Sequence, residues 1–264
     1  IITKEDKSLK FPLRIRLKGT TEIHFLDPLN WSFKVKTKNI TPIFSNKEFS
    51  LQAPRARSGL NEYIFQELLK QENLFSHRMK LVNLFLNNQS LGNYFLIDGY
   101  TKYFIEANKR RESIIIAYDK KPIVKSSIYD PDWEEIYLPK AFNIAPIEAA
   151  GGTNPSTLPG LKNQGFELLR LFQKGDKYIS EIAHYKDFAK ILAIRALMGS
   201  KELDWRDMKF YINPITSKLE LISREIHTFK NDTNPGSWWM LDPNKTHEDY
   251  KQMIRLLQKD EIFV

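Results

Sequence analysis

The sequence predicts an α+β fold: a mixed antiparallel first lobe, a mostly helical second lobe, and a cleft between them. Three observations carry this expectation. Two stretches near the N-terminus alternate apolar and basic residues with period two, apolar residues recur at helical spacing from Phe166 onward, and a proline-rich, weakly patterned region from Asp119 to Gly165 separates the two regimes. A chain of 264 residues with 42% hydrophobic and 27% charged residues can bury one continuous core, so the whole of 1–264 reads as a single domain. The first lobe covers about 1–100 and the second about 101–264.

Leu13-Arg14-Ile15-Arg16-Leu17-Lys18 alternates strictly, the mark of a strand with one buried face, and Gly19-Thr20-Thr21 ends it. Trp31 to Thr37 repeats the pattern, with Lys34 and Lys36 on one face. Such a pair is either a solvent-facing hairpin or a sheet whose basic face looks into a cleft holding phosphates. After the turn-rich Gln52-Ala53-Pro54-Arg55-Ala56-Arg57, the residues Leu60, Ile64, Phe65, Leu68 and Leu69 define a helical face, with Ser58 or Asn61 able to cap its start. Leu81–Leu86 and Tyr94–Ile97 flank Asn87-Asn88-Gln89-Ser90-Leu91-Gly92, a hairpin with asparagine and glycine in the turn.

A short helix is expected over Thr101–Arg111 and a buried strand over Ile114–Tyr118. The stretch Ala149-Ala150-Gly151-Gly152-Thr153-Asn154-Pro155 has the loosest composition in the chain and reads as part of an inserted loop region. Helices are expected up to Gly175 and over Tyr185–Met198, followed by a hairpin of Met208–Ile212 with Leu219–Ile222. A last helix from Thr246 sets Tyr250, Met253, Ile254 and Leu257 on one face.

Composition excludes several chemistries. Cysteine is absent, so disulfides, thiolate catalysis and cysteine-held zinc are ruled out, and the five histidines show no close ligand pairing. No apolar run reaches the roughly 18 residues that span a bilayer. A net charge of +8 favours anionic partners without choosing among them. The densest basic cluster, Lys109-Arg110-Arg111, reads first as a solvated loop and second as a contact patch. No nucleic-acid motif is recognisable, and aromatics are not interleaved with basic residues, so no specific nucleic-acid partner is expected.

The chemistry gathers around the last hairpin. Leu203-Asp204-Trp205-Arg206-Asp207 places two carboxylates at the mouth of one strand, and Ser223-Arg224-Glu225-Ile226 places a third at the end of the next. Three converging carboxylates exceed what a hairpin needs to fold.

Arg16-Leu17-Lys18-Gly19, Trp31-Ser32-Phe33-Lys34-Val35-Lys36, Asn61-Glu62-Tyr63, Leu86-Asn87-Asn88-Gln89-Ser90-Leu91-Gly92-Asn93-Tyr94 and Leu203-Asp204-Trp205 before Phe210-Tyr211-Ile212-Asn213-Pro214 occur in an order that resembles the CotH family of spore-coat kinases. The resemblance covers about Leu13 to Thr228. It implies an atypical protein-kinase-like two-lobe fold that binds ATP with Mg2+ or Mn2+ between its lobes and transfers the γ-phosphate to serine or threonine of a protein substrate.

By the same resemblance Lys36, with Lys34 as the fallback, holds the ATP phosphates as a mobile point charge. Glu62 orients that lysine, its plainer role being to favour the helix dipole. Asp204 is the catalytic aspartate or, more plainly, a cap of the preceding helix. Asp207 falls where the family carries asparagine and Glu225 where it carries aspartate, and both are the implied metal ligands. These two departures make a pseudokinase the alternative, acting as a structural or assembly module in which exposed aromatics such as Trp238-Trp239-Met240 contact an assembly partner. The resemblance implies a bacterial protein, secreted or anchored at the cell surface.

Overall fold

The computed structural model describes residues 2–4, 7–9, 12–19, 24, 31–38, 46–119, 141–200, 205–226 and 248–261. Asp204, His227, Trp238-Trp239-Met240 and the expected helix start at Thr246 lie outside them.

Strands β1 (Ile2–Lys4) and β2 (Lys7–Leu9) form a small antiparallel ladder of their own. Then come β3 (Leu13–Leu17), β4 (Phe33–Thr37), β5 (Glu48–Gln52), a 3-10 turn over Pro54–Arg57 and helix α1 (Asn61–Gln71). β6 (Met79–Leu86) and β7 (Gln89–Asp98) complete an antiparallel sheet of order β3-β4-β5-β7-β6. Its register sets Arg16 opposite Lys34 and Arg14 opposite Lys36, and sets Lys34 and Lys36 opposite Ser50 and Glu48. One face is therefore a basic ladder, because side chains alternate across a strand. The other gathers Phe33, Val35 and Phe49 with Tyr94 and Leu96 into a small apolar core. Tyr63 of α1 stacks on Phe95, whose register partner is Gln52, so α1 lies over the basic side of the sheet.

Two expectations for this half are corrected. β3 is an edge strand whose apolar residues stay open, Ile15 at 52% and Leu17 at 50% exposure, so its alternation does not mark a buried face. The β6–β7 turn is two residues rather than six. Asn87 and Asn88 both take positive φ (50° and 65°), which closes the hairpin at once and lets Gln89 to Asn93 pair as strand.

The second half contributes α2 (Lys102–Ala107), β8 (Ile114–Tyr118), α3 (Ala141–Ile144), β9 (Ile147–Gly152), α4 (Pro159–Lys174), α5 (Ile179–Ile182), α6 (Tyr185–Leu197), β10 (Lys209–Ile212), β11 (Leu219–Ile222) and α7 (Glu248–Gln258). Four of its strands make a second antiparallel sheet of order β11-β10-β8-β9. The α+β class with antiparallel sheets is thus found, with more strand in the second half than the sequence suggested. β9 accounts for the difference. Its Ala149-Ala150-Gly151-Gly152 is no loop, because β9 pairs with β8 and a side chain at Gly151 would collide with the carbonyl oxygen of Tyr100. Small residues stand there for close approach rather than for looseness.

β8 is buried along its whole length, as a central strand covered by helices should be. Trp205 anchors the turn before β10 by meeting Tyr118 and Phe142 edge-on, with ring centroids 6.0 and 5.8 Å away. Phe65 and Leu69 of α1 enter this same core beside Phe188 and Ile191 of α6, so one continuous core joins the two halves.

Candidate anion-binding site

The site assembles where the basic face of the first sheet meets the four residues after β11. Those residues, Ser223 to Ile226, have no strand partner beyond Ile222 and are held by side chains instead. The Glu62 carboxylate accepts the Ile226 N–H at 2.9 Å, Gln66 Nε2 donates to the Ser223 carbonyl at 3.3 Å, and Ser58 Oγ donates to the Ile226 carbonyl at 3.3 Å. From α6, Arg195 donates to Ser223 Oγ at 3.1 Å and to the Arg224 carbonyl at 3.4 Å. Ser58 therefore does not cap α1 but reaches across to this segment. Within it Glu225 takes a left-handed backbone with φ of 62°.

This clamp presents Arg224 and Glu225 to the sheet. Glu225 Oε1 pairs with Arg57 Nη1 at 2.9 Å, and Arg57 Nε donates to Gln52 Oε1 at the end of β5. Lys18, one residue past β3, lies in the same neighbourhood. Its ammonium is lowered to about 6 by burial, then by the repulsion of Arg224 and Arg57, against the opposing pull of Glu225. Burial pushes the Glu225 carboxyl up, yet Arg57, Arg224 and Lys18 together hold it well below the usual carboxylate range. His24, which accepts or donates a bond to Ser32 Oγ at 2.8 Å, is lowered by burial and by the same Arg57 and Lys18. The backbone turns tightly here, because a side chain at Gly19, whose φ is 112°, would strike the His24 ring.

Tyr100 closes the far side. Burial pushes its hydroxyl up to about 12, with Glu225 and Asp207 adding to the rise and the hydrogen-bonded Arg224 opposing it. Lys209 lies over its ring, 5.0 Å from the centroid. His77 stacks on Phe104 and is held neutral by burial and by Arg224.

The site also holds unmet hydrogen-bonding capacity. Arg224 is 8% exposed, and its Nε and Nη2 find no acceptor among the described residues; Gln52 Nε2, on the residue bonded to Arg57, is likewise buried without one. Buried donors without partners cost about 1–3 kcal/mol each, so each marks a place where an acceptor would be stabilising.

The residues expected from the sequence divide. Lys34 and Glu225 both act electrostatically on Lys18, and Glu225 and Asp207 on Tyr100. Lys34 is itself engaged, its Nζ 2.5 Å from Glu48. Lys36 stands farther out, 63% exposed and 3.9 Å from the same Glu48 carboxylate. The carboxylate beside the strand lysines is thus Glu48, whereas Glu62, 1% exposed, faces the backbone of Ile226 and the Gln66 amide. Among the described residues no three histidine or acidic side chains form a metal cage. In the cluster at Lys109-Arg110-Arg111, Arg110 is structural, pairing with Glu220 at 2.8 Å and covering the Phe75 ring.

Lys18, Arg57, Arg224 and Tyr100 were not singled out from the sequence. The alternation ending at Lys18 was a usable signal, since it continues the ladder face of Arg14 and Arg16. Nothing in the sequence ties Lys18 to Arg57 or to Arg224, which stand far apart along it.

No protein-family model matches the chain, and no curated protein matches it either.

Proposed function

We propose that this protein is a kinase-like nucleotide-binding domain of the CotH type, with ATP phosphates seated where the basic sheet face meets the acidic hairpin, and that it transfers the γ-phosphate to a protein serine or threonine. The observation that carries the reading is the contact of Arg57, in the turn after β5, with Glu225 of the hairpin region, with Lys18 and Lys34 of the first sheet electrostatically coupled to the same group of charges. The two-lobe kinase-like arrangement belongs to this proposal, supported by an antiparallel five-stranded sheet with α1 inserted between its third and fourth strands in sequence.

The residues fit a polyanion. Among the described residues Arg224 Nε and Nη2 find no acceptor and no carboxylate forms an ion pair with Lys18, so each gains from an incoming phosphate. They do not fit a lone divalent cation, since Glu225 is committed to Arg57 and surrounded by positive charge. A metal ion at Asp207 and Glu225 would therefore arrive with the phosphates. ATP would supply the phosphoryl group; Lys18, Arg57 and Arg224 would hold its charge, and Asp204 would take the acceptor's hydroxyl proton.

The Arg57–Glu225 pair favours a second reading, a pseudokinase that binds the nucleotide without transfer and serves as an assembly module. Thermal unfolding with ATP, alone and with magnesium or manganese, separates these from a purely structural role. A ligand at one hundred times its Kd stabilises by about 2.7 kcal/mol, so binding is readily seen. Binding together with phosphate transfer to protein that disappears in Asp204→Ala supports the kinase; binding without transfer supports the pseudokinase. No stabilisation with any combination of ATP and metal would sink both.

A further inference from the structure

The resemblance points to Lys36 as the phosphate anchor, but the structure points elsewhere. We infer that the phosphate subsite is the pocket of charge formed by Lys18, Arg57 and Arg224, a site for a di- or triphosphate group whose oxygen would take the place that the Glu225 carboxylate holds on Arg57. The inference rests on the nucleotide reading for the identity of the ligand and, for its place, on the Arg57–Glu225 pair and the unmet donors of Arg224, with Lys18 joined to them by its electrostatic coupling to both arginines.

Four observations support the placement. The three basic side chains come from separate elements, the end of β3, the turn after β5 and the segment after β11, and only the folded chain brings them together; Lys18, lowered to about 6, would take up a proton as a phosphate binds. Arg224, nine-tenths buried, leaves Nε and Nη2 without acceptors among the described residues, and that is the edge that binds an oxyanion in bidentate fashion. Arg57 meets one carboxylate oxygen of Glu225 at 2.9 Å, so a carboxylate already occupies the position that a phosphate oxygen would take. The segment carrying Arg224 and Glu225 is fixed by Glu62, Gln66, Ser58 and Arg195, so the donors are held in place before any ligand arrives. Lys36, by contrast, is largely exposed beside Glu48 and has no such enclosure.

The test is calorimetric titration of the intact protein with inorganic pyrophosphate and with ATP, in wild type, Arg224→Gln, Lys18→Gln and Lys36→Gln, each checked for folding by circular dichroism. Pyrophosphate and ATP should both bind, and Arg224→Gln and Lys18→Gln should each weaken both by about tenfold or more, the scale of a lost charge-assisted hydrogen bond. Lys18 is less buried than Arg224, so Lys18→Gln keeps the test decisive if Arg224→Gln does not fold. Pyrophosphate binding that needs Arg224 and Lys18, with no binding of ATP, would uphold the anion subsite and defeat the nucleotide reading. ATP binding that survives in Arg224→Gln and Lys18→Gln but is lost in Lys36→Gln would overturn the subsite and leave the nucleotide reading standing. Absence of binding by either ligand would overturn the subsite outright.

Discussion

Lys18 shows how a single residue ties the fold to its proposed chemistry. In the unfolded chain its amine titrates near 10.5, and in the folded protein near 6. Between these values the unfolded state carries more protons, so stability rises with pH across that window. His24 and His77, both lowered on folding, act in the same direction below pH 6.5. Tyr100 and Tyr211, pushed up to about 12 chiefly by burial, act oppositely above pH 10, where the unfolded state releases protons first. Stability in phosphate-free buffer should therefore climb from pH 6 to about 9 or 10 and then decline. Urea denaturation along this series should show a slope of up to about 1.4 kcal/mol per pH unit from Lys18, reduced by its partial exposure. Lys18→Met should flatten that rise; an unchanged slope in the variant would show that Lys18 keeps its proton on folding.

At the scale of elements, β9 makes the sharpest prediction. Gly151→Ala drives a methyl group into the Tyr100 carbonyl, so it should cost about 2 kcal/mol or more and lower the denaturation midpoint. Gly160→Ala, with open space around the same added atom, serves as the control and should be near neutral. These two glycines also show what the sequence could convey. Local patterning places β4, β8, β10, β11 and α6, because each of these elements buries one face or all of itself; α4 is caught only from Phe166, since its first turns from Pro159 fall in the proline-rich stretch that reads as loop. Ala149-Ala150-Gly151-Gly152 carries the composition of a loop, and only the approach of Tyr100 from another element explains it as a strand. The acidic hairpin is legible in the sequence as a centre of charge, and in the structure Glu225 and Asp207 both act electrostatically on Tyr100. Its cationic half was hidden, since Lys18, Arg57 and Arg224 acquire meaning only after three elements meet.

Over the whole molecule the net charge of +8 makes a long-range contribution separate from the subsite. Arg14 and Arg16 are exposed on the ladder face that leads to Lys18. Replacing both with glutamine should leave stability within about 0.5 kcal/mol, as expected for surface positions. The same change should slow pyrophosphate association at low salt, by a factor that vanishes as salt shortens the screening length to about 8 Å and below. Stopped-flow rates at two ionic strengths would decide it; equal slowing at both would mean that these arginines touch the ligand. The continuous core sets a further condition on how any ligand gets in. Phe65 and Leu69 belong to a helix of the first half yet are buried among residues of the second. Swinging the halves apart like a hinge would wet both side chains, at about 1.5–3 kcal/mol each. In the proposed subsite a phosphate would need only to take the place of the Glu225 carboxylate on Arg57, an exchange of one anion for another that leaves this shared core untouched.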